Sequence, residues 1–324
     1  MLVDGFGRAI DYVRVSVTDR CDMRCVYCLP KGFRGFEVPA NWLTSEELSR
    51  LVNVFARLGV SKVRLTGGEP LLRRDVTAIV AAVASTPGIV DLSMTTNGAH
   101  LAGVAHALFD AGLHRLNVSL DTLDADKFAR ITSRDCLRDV LAGLHAARAA
   151  GFTRTKLNAV VTASTTYQEL CNLLRFAIDN DMVLRLIEHM PVGHAHLAQL
   201  AVNLTETGES LARDFGLCPQ LNTSGSGPAR YWRSAEQGEL LGVITPLSRH
   251  FCEACNRVRL SVDGTLYPCL GHNSALSLGS AMRAGASDQD LESLIRDAVR
   301  HKPERHEFAE KPGQIVRFMA STGG

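Results

Sequence analysis

Short runs that alternate β-branched with polar residues recur through the first 190 positions of the chain. Longer stretches with apolar residues at every third or fourth position separate them. The alternating runs predict strands at residues 12–18, 62–66, 89–95, 115–120, 155–161 and 182–188. Between the first two, Leu48, Leu51, Val52 and Phe55 recur at helical spacing and predict a helix over residues 45–58. Thr44 followed by Glu47 reads as a capping box opening that helix, and Gly59 stands where a C-terminal cap belongs. Most strand starts lie about 30 residues apart, the length of one βαβ unit. Six such units with right-handed crossovers give a parallel sheet curved into part of a barrel, a partial (β/α)6 TIM-like barrel of α/β class. An open doubly wound sheet is the alternative.

The rhythm breaks after Pro191. Residues 219–230 (PQLNTSGSGPAR) read as loop, extended runs follow at 230–233, 240–244 and 257–262, and two helical stretches fall within 274–301. This predicts a barrel over residues 1–190. An α+β extension over 191–324 would lie against its open side. Beyond the βα rhythm the sequence holds no repeat, coiled coil or low-complexity tail.

Composition narrows the functional classes. With 324 residues, 46% hydrophobic and 21% charged, the chain has the profile of a globular protein with a sizeable core. A net charge of +1 leaves no broad basic field for nucleic acid or an anionic membrane, so any bound anion must be met by local Arg and Lys. The first residues lack a signal-peptide pattern, and the longest aliphatic run, 79–84, is far short of the roughly 20 residues that span a bilayer. A soluble, cytoplasmic protein is expected, as monomer or homodimer.

The chemistry is carried by cysteine. Of nine cysteines, six fall in two tight groups, Cys21/Cys25/Cys28 and Cys252/Cys255/Cys269, while Cys136, Cys171 and Cys218 are scattered and read as small apolar residues. Grouped cysteines in a reducing compartment suggest metal or redox chemistry rather than disulfides. The first group has the spacing C-x3-C-x2-C directly after the first predicted strand. A buried stripe on a helix is the plain alternative, but Pro30 and Gly32 would stop such a helix, and a zinc site would want a fourth ligand nearby. Three thiolates on a [4Fe–4S] cube leave one iron open for a small molecule.

That spacing, with Tyr27 before the third cysteine and VRLTGGEPLL one strand later, resembles the radical S-adenosylmethionine superfamily. The resemblance implies that the segment Gly67, Gly68, Glu69 and Pro70 meets the amino group of S-adenosylmethionine. The second group, C-x2-C-x13-C in HFCEACNRVRLSVDGTLYPCL, reads either as a zinc knuckle completed by His250 or His272 or as another three-thiolate cluster. Together with MTTNG, LNVSLDTLD, KLNAVV, RLIEHMPVG, GPARYW and the final Gly323–Gly324, the pattern resembles the GTP 3′,8-cyclase family, which begins molybdenum cofactor biosynthesis.

The resemblance implies two [4Fe–4S] clusters, on Cys21, Cys25 and Cys28 and on Cys252, Cys255 and Cys269. It implies an S-adenosylmethionine pocket lined by Tyr27, Gly68, Ser119 and Met190. A 5′-deoxyadenosyl radical would take hydrogen from C3′ of GTP, and C3′ would then bond to C8 of the guanine. The second cluster would bind the purine, and an electron and a proton would complete the product. GTP, an external low-potential electron donor and cyclic pyranopterin monophosphate synthase as the next enzyme are the implied partners.

The sequence has no G-x4-G-K-[ST] loop to receive a triphosphate, so side chains must meet its charge. Arg14, Arg64 and Lys156 sit on predicted strands whose alternate residues face the barrel interior, where unpaired charge is costly. Salt-bridged or surface positions are the alternative. The resemblance assigns these three to GTP, with Thr95, with Arg257 and Arg259 from one face of a later strand, and with Lys62 and Arg185 as weaker additions. A solvated strand face is the other reading of Arg257 and Arg259. Gly323 and Gly324 would ordinarily be a frayed terminus, but the resemblance implies a tail that reaches the active site and supports turnover. Two positions depart from the family pattern, Gly271 after Cys-Leu and His189 in RLIEHMPVG. His189, His194 and His196 read as loop or surface residues, with a metal site as the alternative. A peptide-modifying radical enzyme with auxiliary clusters and a non-enzymatic iron–sulfur or zinc module are the rival functions.

Overall fold

The structure is a computed structural model that describes residues 1–29, 32–34, 36, 38–192, 203–220, 227–308, 310–311, 314–315 and 317–323. The six predicted strands are present as β1 (Tyr12–Ser16), β2 (Lys62–Thr66), β3 (Asp91–Thr96), β4 (Arg115–Ser119), β5 (Lys156–Val161) and β6 (Val183–Glu188), each parallel to the next. The helices α1 (Ser45–Arg57), α2 (Val76–Ala84), α3 (Ala105–Asp110), α4 (Ala125–Thr132), α5 (Leu137–Ala149) and α6 (Tyr167–Asp179) fill the crossovers. The first is capped as expected: Glu47 N–H donates to Thr44 Oγ1 at 3.2 Å and Thr44 N–H donates to Glu47 Oε2 at 2.9 Å. Gly59 follows with φ +98°, a conformation that favours glycine.

The C-terminal third contributes α7 (Leu204–Asp214), β7 (Cys218–Pro219), β8 (Arg230–Ser234), β9 (Gly238–Ile244), β10 (Arg257–Leu260), β11 (Thr265–Tyr267) and β12 (Leu276–Ser277). It continues with α8 (Leu278–Arg283), α9 (Asp288–Arg300) and the short α10 (Met319–Thr322). Its strands do not stand apart from the barrel. Among the described residues one sheet runs β12-β11-β10-β1-β2-β3-β4-β5-β6-β9-β8-β7, with β10 parallel to β1 and β9 parallel to β6. The extension therefore continues the parallel sheet at both edges, where local periodicity predicted a unit on the open side. Antiparallel strands close each end, so the barrel remains partial.

The period of two along each strand divides the sheet into unlike faces. Val13, Val15, Val63, Leu65, Leu92 and Met94 are fully buried in the main core with the helices. Removing such a side chain from water contributes roughly 1.5–3 kcal/mol. The opposite phase carries Tyr12, Arg14, Lys62, Arg64 and Asp91, which line a cavity inside the curved sheet. A barrel interior is usually filled by bulky apolar residues; this one is polar and largely cationic.

Candidate active site

The first cysteine group lies on the loop that leaves the C-terminal end of β1. Residues 21–29 form turns rather than a helix, which disposes of the helical-stripe alternative. The loop is fixed by backbone bonds from Arg24 N to Thr132 O (2.8 Å) and from Val26 N to Ile131 O (3.0 Å), at the end of α4. Asp22 ties it to the loop after β3 by accepting from Asn97 Nδ2 (2.8 Å), and also meets His100 and Arg134.

The Gly-Gly-Glu segment docks directly on this loop. Gly68 N–H donates to Thr18 O (2.7 Å) and Glu69 N–H to Arg20 O (2.6 Å). A Cβ on Gly67, at φ +152°, or on Gly68 would lie 2.1 Å from the carbonyl oxygens of Thr18 and Arg20 respectively. The glycines thus let two backbones touch. Glu69 is wholly buried and accepts from Leu71 N, Thr96 Oγ1 and Asn97 N, which locks the β2 and β3 loops together; burial nevertheless pushes its carboxyl up to about 7. Tyr27 Oη donates to Asp121 Oδ2 (2.7 Å), whose other oxygen accepts from Val160 N–H (2.8 Å). Burial pushes Asp121 up to about 6.

The thiols of this group are close enough to repel as thiolates. Burial pushes Cys21 up to about 12 and Cys28 up to about 11, and raises Cys25 well above the usual thiol value. All nine cysteines are free. Three adjacent, unbridged thiols with low water access fit the donor set of a cluster with an open iron, and binding must displace their protons.

The second group sits at the other end of the strands. Cys252 and Cys255 precede β10 and Cys269 follows β11, which places all three beside the N-terminal ends of the parallel strands. They line the interior cavity, whose volume is about 430 Å³. Cys252 is raised by burial, whereas Cys255 is held low against burial by Lys302 and Arg257. Among the described residues no three His, Cys, Asp or Glu side chains are arranged to hold one metal ion. A cube spreads its thiolates over separate irons and asks for wider spacing than one zinc ion does.

Between the two groups runs a band of guanidinium groups. Arg259, Arg14 and Arg64 are successive register partners across β10, β1 and β2, and Arg257, Tyr12 and Lys62 form the next row. Lys62 pairs with Asp11 (2.8 Å), Arg115 with Asp91, and Lys156 donates to Tyr231 Oη (3.0 Å). Arg185 Nε donates to Asn158 Oδ1 (2.9 Å). Among the described residues none of Arg14, Arg64, Arg185 and Arg259 has a carboxylate partner. Arg14 Nε and Thr95 Oγ1 are buried without a hydrogen-bond partner. Burial, with repulsion from neighbouring guanidinium groups, lowers Arg14, Arg64 and Arg259, Arg64 to about 10. A pocket whose wall holds four guanidinium groups without a carboxylate partner among the described residues is complementary to a polyanion.

The C-terminal tail enters this band. Arg259 Nη1 donates to Thr322 O (3.2 Å) and to Gly323 O, and a Cβ on Gly323, at φ +76°, would fall 2.0 Å from Thr66 Cγ2. Ala320, one turn earlier, offers a backbone hydrogen bond to Cys28.

Residues 15–177 match the Radical SAM superfamily and residues 182–308 match Molybdenum Cofactor Synthesis C. A GTP 3′,8-cyclase of Pseudomonas putida strain W619 is 46% identical over 337 residues, covering 100% of this chain and 98% of the relative. One from Pseudomonas fluorescens strain Pf0-1 is 45% identical over 331 residues, covering 100% and 99%. The chain belongs to the GTP 3′,8-cyclase family. As a radical S-adenosylmethionine enzyme of that family it takes a [4Fe–4S] cluster and S-adenosylmethionine. Among solved structures, Streptococcus suis SuiB bound to its precursor peptide SuiA superposes with a TM-score of 0.65 at 16% identity, covering 96% of this chain and 68% of that one, a likeness of fold alone.

The cavity wall holds Arg14, Arg64, Lys156, Arg257, Arg259, Met190 and the three cysteines of the second group, together with Lys62 and Arg185. Cys21, Cys25, Cys28, Tyr27, Gly68, Thr95 and Ser119 lie instead on loops or strand ends at the C-terminal rim. Arg257 and Arg259 belong to the barrel sheet itself rather than to an extension on its open side. His189 is half-buried with Nε2 unpartnered; Gly324, His194 and His196 lie outside the described residues. Sequence reasoning missed Tyr12, Asn117 and Asn158. The available signal was an Asn inside each of two strands, where Asn is disfavoured unless its amide has work. It also missed Lys302, for which no local signal exists.

Proposed function

We propose that this chain is itself a GTP 3′,8-cyclase, converting GTP to (8S)-3′,8-cyclo-7,8-dihydroguanosine 5′-triphosphate in the first step of molybdenum cofactor biosynthesis. The observation that carries the reading is the row Arg259–Arg14–Arg64, set between the two cysteine groups in a cavity that supplies these cations with no carboxylate among the described residues.

Cys21, Cys25 and Cys28 hold the first cluster, and Tyr27, Gly68, Ser119 and Met190 line the place for S-adenosylmethionine. When bound, these cofactors would supply the radical chemistry that the conversion of GTP requires at C3′ and C8. Cys252, Cys255 and Cys269 would hold a second [4Fe–4S] cluster, which would supply a binding position for the purine and an electron for product formation. The chain's own residues bind and orient. Arg14, Arg64, Lys156, Arg257 and Arg259 neutralise the triphosphate, for which the planar guanidinium fork is suited. Thr95 offers the buried hydroxyl to the nucleotide. Gly323 and Gly324 would be the tail that supports turnover, Gly323 through its contact with Arg259. In this reading residues 1–190 form the S-adenosylmethionine barrel and 191–324 the second-cluster and substrate extension. An external low-potential donor delivers electrons, cyclic pyranopterin monophosphate synthase takes the product, and the enzyme works in the cytoplasm. No described helix is long and apolar enough to cross a membrane.

The test is anaerobic incubation of the reconstituted protein with S-adenosylmethionine, dithionite and GTP. The cyclised nucleotide and GTP-dependent 5′-deoxyadenosine should appear together. Deoxyadenosine formed equally without GTP would argue for a different substrate.

A further inference from the structure

The two cysteine groups differ in the charges around them. Near Cys21 and Cys25 stand the carboxyls of Glu69, Asp22 and Asp121, against one guanidinium, that of Arg24, near Cys28; near the second group one carboxyl, that of Glu253, stands by Cys252. The second group is clamped by cations that reach its backbone. Arg8, ion-paired with Asp4, donates from Nη1 to Cys252 O at 2.7 Å, and the same guanidinium donates to Pro303 O and Glu304 O. Arg317 Nη2 donates to Cys269 O at 3.1 Å and to Leu270 O. Lys302 Nζ donates to Arg257 O at 3.1 Å and to Pro268 O. Those two carbonyls lie two residues after Cys255 and one residue before Cys269, on chain segments that only Lys302 joins by a side chain among these three cations.

Lys302 is 2% exposed and lies in the cavity wall beside the cysteines. Among the described residues it forms no ion pair with a carboxylate. A buried ammonium without a counter-ion is costly, and two carbonyl dipoles offset only part of that cost. A cluster held by thiolates carries net negative charge and would supply the missing counter-ion. Local charge is one of the determinants of a cluster's reduction potential.

We propose that Lys302 is a positioning residue for the second cysteine group: it fixes the span between the Cys255 and Cys269 segments and places a buried positive charge that makes the cluster they hold easier to reduce than the first. This rests on the reading that Cys252, Cys255 and Cys269 hold an iron–sulfur cluster. Arg8 and Arg317 complete the clamp from the other side of each cysteine. The electrostatic contrast with the acid-flanked first group then orders the two potentials, the second above the first.

The experiment is a redox titration, followed by electron paramagnetic resonance, of anaerobically reconstituted full-length wild type, Lys302→Met and Lys302→Arg, with iron and sulfide measured on the same samples. Wild type should show the second cluster reduced at the higher potential. Lys302→Met should move that potential down or lose the second cluster's iron, with the first cluster's signal and potential unchanged, and Lys302→Arg should restore wild-type behaviour in part or in full. An unchanged second potential in a fully loaded Lys302→Met protein would overturn the proposal, as would Lys302→Met and Lys302→Arg losing the second cluster equally. Should wild type hold only one cluster's worth of iron, the failure lies instead with the reading of the second cysteine group, and a variant series in Cys252, Cys255 and Cys269 identifies it.

Discussion

Arg14 on β1 and Arg259 on β10 are direct register partners on adjacent parallel strands, 245 positions apart in the chain, so two guanidinium groups share one wall of the cavity. Arg259 is buried and Arg14 partly so, desolvation lowers both, and repulsion between them is among the causes for Arg259. Such an arrangement is unfavourable in the free protein and becomes favourable when a polyanion enters.

Arg14→Ala should therefore weaken GTP binding while leaving the free protein as stable or more so. Loss of a charged hydrogen bond costs about 1.5–3 kcal/mol, or on the order of 10- to 150-fold in Kd. Isothermal titration with GTP, alongside thermal melts of the unliganded protein, checks both halves. Unchanged GTP affinity removes Arg14 from the site.

Gly68→Ala should detach the first cysteine loop, because its Cβ would meet the backbone oxygen of Arg20 and backbone cannot swing aside. Iron analysis should show loss of the first cluster with the second retained. A fully loaded Gly68→Ala protein would mean that the two loops can part without consequence.

Asp121 gives a pH prediction with a definite sign. Its folded value is raised by burial from 3.8 to about 6, so its stabilising contribution is complete below about pH 4 and is lost as pH rises through 6. Asp121→Asn removes the ionisable group and keeps an acceptor for Val160 N–H. Relative to wild type, the metal-free Asn variant should gain stability between pH 4.5 and 7.5. Parallel thermal melts at those two values measure it, and a constant difference contradicts the assignment.

The strands β1 to β6, the capped helix α1 and both cysteine groups were legible because each is a local pattern: a period of two, a period near 3.6, or a fixed spacing. The alternation of Arg257 and Arg259 was legible too. Their position beside Tyr12 and Arg14 was not, since strand partners so distant in sequence leave no trace in local periodicity. For the same reason the second cysteine group could be recognised but not placed at the N-terminal ends of the strands. The bonds of Arg8, Lys302 and Arg317 to carbonyls flanking the cysteines are likewise invisible in sequence. By contrast, the capping boxes Thr166/Glu169 of α6 and Ser287/Asp290 of α9 are local signals that the reading of the first helix could have been extended to find.

The tail is the part where sequence and structure are most informative together. A Cβ at position 323 would collide with Thr66 and disturb the contact of Gly323 O with Arg259. Gly323→Ala should keep both clusters and lower kcat by tenfold or more. Single-turnover assays with matched iron content distinguish this from cluster loss. Full activity would show that the tail is dispensable.

In the proposed reaction a radical generated beside Cys21, Cys25 and Cys28 reaches the ribose of a GTP held by the arginine row. The most direct measurement uses GTP carrying deuterium at C3′, with mass analysis of the 5′-deoxyadenosine formed in a single turnover. One deuterium should be transferred into the deoxyadenosine, and the cyclised nucleotide should have lost it. Unlabelled deoxyadenosine formed alongside fully labelled GTP would contradict it.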